Sequence, residues 1–249
     1  MLPEIPPEEF AAALDACAEE VLWEASIEAP PVDAYQLAER LELVVTRDDH
    51  MSYRARFVHL PEQGRGGEGQ ATIVVGPAER PERAQWAVAH EIGESMAYRV
   101  FETLGVPAEA APPDARERVA SQLACCLLLP KKWFAEDGRA EGWDLSVLKE
   151  RYATASHELI ARRMLDMRQP IVITVCDLGS IHWRRSNVSS RVPPMLPAER
   201  EAWQRCHVTG RPTRAALDAE SGGLETIRCW PIHEPDWKRE ILRSEVVEW

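Results

Sequence analysis

The most constraining stretch of this chain is a long helical pattern from Pro81 to Leu104 with His90-Glu91-Ile92-Gly93-Glu94 at its middle. Pro81 suits a first turn, where a missing N–H costs nothing. Ala84, Ala87, Val88, Ile92, Met96, Val100 and Leu104 recur at helical spacing and give a broad apolar face. Gly105 and Pro107 then end the helix. His90 and Glu94, four apart, project from one face with Cβ atoms about 6 Å apart, so both can reach one ion. Glu91 points roughly 100° around the axis and can hold a water at that ion. This is the logic of the H-E-x-x-H metallopeptidase motif, in which one helical turn supplies two ligands and a general base. A third protein ligand must come from elsewhere, and one position stays open for water. Glu94 stands where the motif has its second histidine, and H-E-x-x-E alone also describes a solvated pair on a helix surface.

The rest of the chain supplies elements around this helix. Residues 8–26 have helical spacing, with Phe10, Leu14, Cys17, Val21 and Leu22 on one stripe, and a short helix begins near Val32 with Asp33 as N-cap. Strands are expected at 43–46, 53–60 and 71–75, the last two joined by a glycine-rich tip at 64–69. Residues 108–113 read as a loop. A helix from Asp114 to Leu129 stops at Pro130, and two more follow at 144–152 and 156–166. The texture changes at Gln169-Pro170, which sets an expected boundary near residue 168. Beyond it lie strands at 171–176 and 181–185 about an Asp177-Leu178-Gly179-Ser180 turn, a helix at 197–206, and strands at 224–232 and 237–247.

Composition narrows the partners. The 249 residues, 45% of them hydrophobic, suffice for one large or two small domains. With 41 acidic against 29 basic residues the net charge is −12, which argues against nucleic acid, whose binding rests on lysine and arginine neutralising phosphate. No apolar run approaches about 18 residues, so no membrane span is expected. The N-terminus lacks a basic and apolar leader pattern. Six scattered cysteines form no C-x-x-C pair, which fits reduced thiols and a cytoplasmic location.

Two segments carry a resemblance. Arg83-Ala84-Gln85-Trp86-Ala87-Val88-Ala89-His90-Glu91-Ile92-Gly93 resembles the R-x-x-F-x-x-A-H-E-I/L-G segment of the ImmA/IrrE family of metallopeptidases. Further on, the stretch from Glu117 to Pro130 is similar to that family's E-x-x-A-N-x-F-A-x-x-L-L-M-P segment, with the same spacing from glutamate to proline. Pro31 to Leu41 is similar to the helix that opens the family domain, and Leu145 to Leu165 to its trailing helical pair. The resemblance covers roughly residues 10–168. It implies an α+β architecture: a zincin-like, mainly helical peptidase domain with a small twisted sheet over residues 1–168, followed by an α+β segment over 169–249. It implies a gluzincin-like site in which His90, Glu94 and Glu117 hold the metal and Glu91 is the general base. The metal implied is zinc, and the partner a protein, such as a repressor of the helix-turn-helix type cleaved or inactivated in stress or mobile-element regulation. The family's asparagine and phenylalanine fall on Ser121 and Leu123, and its second histidine on Glu94.

Glu94 leaves two readings open. As a ligand, it makes a site of one histidine and two carboxylates, a weaker Lewis acid whose harder donors favour manganese or iron beside zinc. In the other reading Glu91, Glu94 and Glu117 repel one another around a metal-free site, borrow a cation such as Arg83 or Arg118, and leave a binding protein that kept the peptidase shape. Other candidates read as structural. His157-Glu158 has no further ligand at Ala161, and Cys125-Cys126 lies on an apolar helix face. Cys176, Cys206 and Cys229 with His182, His207 and His233 have no metal-site spacing. Trp183, Trp203, Trp230, Trp237 and Trp249 fit a small core more readily than a ligand pocket. The C-terminal segment is either a sensory or specificity module or an extension of the peptidase sheet.

Overall fold

The structure, a computed structural model, describes residues 5–60, 69–108, 111–189, 191–217 and 223–247. The glycine-rich tip expected at 64–69 lies outside the described residues up to residue 68, as do Trp249 and two residues of the expected 108–113 loop. The described residues contain eight α-helices and two β-sheets, an α+β protein. They divide into two compact units, Met1–Ser156 and His157–Trp249, so the helix at 157–164 groups with the second unit although its texture resembles the first.

In the first unit α1 (Pro7–Glu24) and α2 (Ala34–Arg40) precede three strands, β1 (Val44–Arg47), β2 (Ala55–Leu60) and β3 (Gln70–Val75). Asp33 caps α2, its Oδ1 accepting from the Tyr35 and Gln36 N–H groups. The sheet order is β1-β3-β2, with β3 parallel to β1 and antiparallel to β2, so β2 is an edge strand. Then come α3 (Pro81–Thr103), α4 (Pro113–Leu128), α5 (Lys131–Ala140) and α6 (Leu145–Arg151). Proline occupies the first turn of both α3 and α4, and Gly105, at φ +66°, ends α3 in the left-handed conformation that glycine adopts at no steric cost. The core lies between α3 and α4, with α1 packed on both: Val88, Ile92 and Val100 of α3 and Ala120, Leu123 and Leu127 of α4 are all essentially without exposure. Truncating one of these leucines to alanine costs about 2–5 kcal/mol.

The sequence pattern does not reveal α5. Its ten residues carry few apolar side chains, and Gly138 breaks the helical propensity. The structure explains the glycine. A Cβ there would lie 2.2 Å from the Trp143 ring, which packs against the bare helix backbone and makes an edge contact with Phe134.

The second unit joins α7 (His157–Met164) to a five-stranded antiparallel sheet with one covering helix, α8 (Pro197–Thr209). Its strands are β4 (Ile171–Asp177), β5 (Ser180–Ser186), β6 (Thr213–Ala216), β7 (Leu224–Glu234) and β8 (Trp237–Val246), in the order β5-β4-β8-β7-β6. β4 is buried along nearly its whole length, as its unbroken Ile-Val-Ile-Thr-Val-Cys run anticipates. Val172, Cys176, Cys206, Ile227, Cys229 and Leu242 form the core between the sheet and α8. Glu199 of α8 is fully buried and fixes the helix in place, pairing with Arg184 of β5 and accepting from Ser244 Oγ of β8. The sequence pattern does not reveal β6, because Thr-Arg-Ala-Ala has no alternation; the strand exists by pairing Thr213 to Ala216 with β7.

Candidate metal centre

The α3–α4 contact sets the site. Gly93 faces Ala120, and a Cβ on Gly93 would lie 2.6 Å from the Ala120 carbonyl oxygen, so only glycine allows this approach. One turn before Ala120 stands Glu117, and the residue after it is Ser121. Glu117 Oε1 lies 3.4 Å from His90 Nε2, and Ser121 Oγ lies 3.4 Å from His90 Nδ1. α4 therefore addresses both nitrogens of the imidazole that α3 presents. The side chain of His90 is 17% exposed and that of Glu117 is 67% exposed, so the site opens to water on the Glu117 side.

Along α3, His90, Glu91 and Glu94 each place one ligand atom within 4.8 Å of the others. Glu94 is exposed and Glu91 buried. Glu91 Oε2 accepts a 2.7 Å hydrogen bond from the Phe57 N–H of edge strand β2. Burial pushes the Glu91 carboxyl above its ordinary value and the Phe57 N–H opposes this; Glu94 and Glu117 raise it further, while His90 lowers it. The four residues named from the sequence thus lie together, with Glu117 joined through His90. A soft thiolate is absent from this set, and an imidazole with carboxylates fits a borderline or hard divalent cation. The cations suggested as a substitute lie elsewhere: Arg83 pairs with Glu79 and Arg118 lies over the Phe10 ring.

The other sequence candidates resolve differently. Glu158 accepts from Arg162, from Trp183 Nε1 and from Arg239, which also grips Asp177, so the His157-Glu158 pair belongs to an ion-pair network. Cys126 is buried against the α4 core, and none of the six cysteines is disulfide-bonded. Trp230 is core, while Trp183 stacks under the Arg162 guanidinium at 4.6 Å. His207 and His233 do come together, with Glu240 rather than with a cysteine. Glu240 has no signal in the sequence, because its approach depends on the β7–β8 register.

A helix that offers a histidine and two glutamates, a second helix that adds a glutamate, and a sheet edge beside them define the framework of a metallopeptidase-type protein. The chain belongs to the IrrE N-terminal-like domain family of peptidases, whose profile matches residues 38–165. The chain is also similar in fold to a Mycobacterium tuberculosis transcriptional regulator of known structure, with a TM-score of 0.64 and 17% sequence identity over 96% of this chain and 81% of that one. No curated protein sequence matches the chain significantly. Among the described residues no helix is long and apolar enough to cross a membrane.

Proposed function

We propose that this chain is a metal-dependent endopeptidase that acts on a regulatory protein, with residues 1–168 as the peptidase-like domain and 169–249 as a separate segment. The observation that carries the reading is the convergence of His90, Glu91, Glu94 and Glu117 inside the family-matched region. His90, Glu94 and Glu117 would hold the ion, zinc in the first instance and manganese or iron as carboxylate-tolerant alternatives. When bound, the ion supplies Lewis-acid polarisation of the scissile carbonyl and acidifies water. Glu91 then serves as the general base: its burial raises its proton affinity toward the range in which it can take a proton from water and return it to the leaving amine. Ser121 orients His90 by engaging its second nitrogen. The edge of β2 lies against α3 and offers backbone groups to an extended substrate segment.

A repressor of the helix-turn-helix type is the substrate class to try first. The test is co-incubation of the metal-loaded protein with such a repressor encoded beside it. The wild type cuts the repressor, and Glu91→Gln removes the cutting while keeping the metal. Undiminished cleavage by Glu91→Gln would remove Glu91 as base. Glu94 in the second histidine position supports another reading, a non-cleaving regulator that binds its partner. Stoichiometric metal in the purified protein together with repressor cleavage rejects that reading; a metal-free protein that retains the repressor uncut supports it.

A further inference from the structure

The second unit holds a cluster that the peptidase reading does not use. His207 lies in the last turn of α8, His233 near the end of β7, and Glu240 on the neighbouring strand β8, two residues along from Lys238, which pairs with His233. His207 Nδ1 is 2.9 Å and His233 Nε2 2.6 Å from one and the same oxygen, Glu240 Oε1. The other oxygen, Oε2, accepts a 2.9 Å hydrogen bond from Trp203 Nε1, a group that can only donate. Glu240 is fully buried, whereas the two imidazoles are partly exposed, at 32% and 20% of their side chains. We propose that His207, His233 and Glu240 form a second metal site, selective for a borderline divalent transition ion such as zinc and open to solvent on its histidine side.

In an imidazole ring the N–H bond and the nitrogen lone pair occupy the same in-plane direction. Two rings aimed at Oε1 as donors are therefore equally aimed, once deprotonated, at a cation beside Oε1. A fully buried carboxylate needs a compensating charge. Here the two imidazoles and one indole N–H face it, and a metal ion held between the carboxylate and the imidazoles supplies that charge. Two imidazoles and one carboxylate are a donor set that zinc accepts, with the fourth position open for water. Tetrahedral zinc would set the ligand atoms about 3.3 Å apart. The observed spacings widen to that by several tenths of an ångström through small side-chain rotations. Trp203 supplies what metal-binding carboxylates generally have, a partner that fixes the non-ligating oxygen. Gly210, in the left-handed conformation at φ +60°, turns the chain at the end of α8 against His233; a Cβ there would sit 3.5 Å from His233 Nδ1. The neighbouring cysteines take no part. Cys176, Cys206 and Cys229 are buried in the core between the sheet and α8, and the ligand atoms that gather within 4.8 Å of one another are those of His207, His233 and Glu240.

The test uses the full chain carrying His90→Ala and Glu117→Ala, so that the first site cannot contribute. After chelator stripping, zinc is titrated against a chromophoric competitor. The expected result is one tightly bound equivalent, weakened about 100-fold or more by adding His207→Gln or His233→Gln, and about 10- to 100-fold by Trp203→Phe. No bound equivalent in the His90→Ala/Glu117→Ala protein, or an equivalent indifferent to both histidine changes, overturns the proposal. Should the histidine variants fail to fold, X-ray absorption of the zinc-loaded protein decides. Two imidazoles with oxygen ligands support the site, and sulfur in the first shell overturns it.

Discussion

Replacing Gly93 by alanine tests whether close helix packing builds the first site. The new Cβ would lie 2.6 Å from the Ala120 carbonyl oxygen, 3.3 Å from its carbon and 3.4 Å from Ala120 Cα. All three are backbone atoms in the middle of α4, so no side chain can swing aside. Restoring an ordinary contact of 3.4 Å or more requires α3 and α4 to separate by ~0.8 Å, the difference between 3.4 and 2.6 Å. Overpacking of this kind costs about 1–3 kcal/mol, and the rigidity of backbone against backbone favours the upper end. Alanine recovers about 1 kcal/mol of helix propensity. The net expectation is a loss of about 2 kcal/mol, or a fall of about 4–8 °C in the unfolding midpoint of a unit this size. Thermal unfolding of metal-stripped wild type and Gly93→Ala, followed by circular dichroism, measures it. The same separation draws Glu117 away from His90, so zinc affinity falls with stability. A midpoint at or above that of the wild type would refute the reasoning, since helix propensity would then outweigh the contact.

Three further outcomes are expected. Glu94→His should bind zinc more tightly than the wild type and widen the preference for zinc over manganese, read by competitive metal analysis; equal zinc affinity in both proteins removes Glu94 from the ligand set. Tyr152→Phe deletes a buried 2.8 Å hydrogen bond to Asp137, which Arg151 still engages, and should cost about 1–2 kcal/mol in denaturant titration. Glu158 is half-buried, which by itself raises its carboxyl, but Arg162, the Trp183 N–H and Arg239 more than offset this and hold it below the ordinary 4.5. Its folded-state value therefore lies under the unfolded one, so its stabilisation is present at neutral pH and fades as pH falls through the folded value. Glu158→Gln should lower stability by about 1–3 kcal/mol at pH 7, a gap that closes well below pH 4.5; a gap constant with pH would assign the loss to packing instead.

How much of this was legible in the sequence depends on how local each feature is. The long helix around His90 was readable because its apolar period, its proline start and its glycine end agree. The Asp33 cap and the hairpin at Leu178-Gly179 are likewise local devices. α5 was not readable, since its stability rests on Phe134 burial and on a tryptophan laid against Gly138, contacts made beyond its own ten residues. In the site, the spacing of His90 and Glu94 and the resemblance around Glu117 picked out residues that lie near one another in the structure. The Phe57 bond to Glu91 could not be read, because it joins residues 34 apart through a strand edge. His207 and His233 were visible as residues, but Glu240 enters their company only through the register that sets Ile232 opposite Arg239 and Pro231 opposite Glu240.

The hydrogen bond from Phe57 to Glu91 has one more consequence. β2 is the last strand of its sheet, and an N–H on such an edge is a natural template for an incoming chain. Here that donor is already engaged by the carboxylate. A segment that lengthened the sheet at this position would compete for the Phe57 N–H and release Glu91 Oε2 in the same event. On the reading proposed above, docking at the edge and unmasking of the acid would be two faces of one equilibrium.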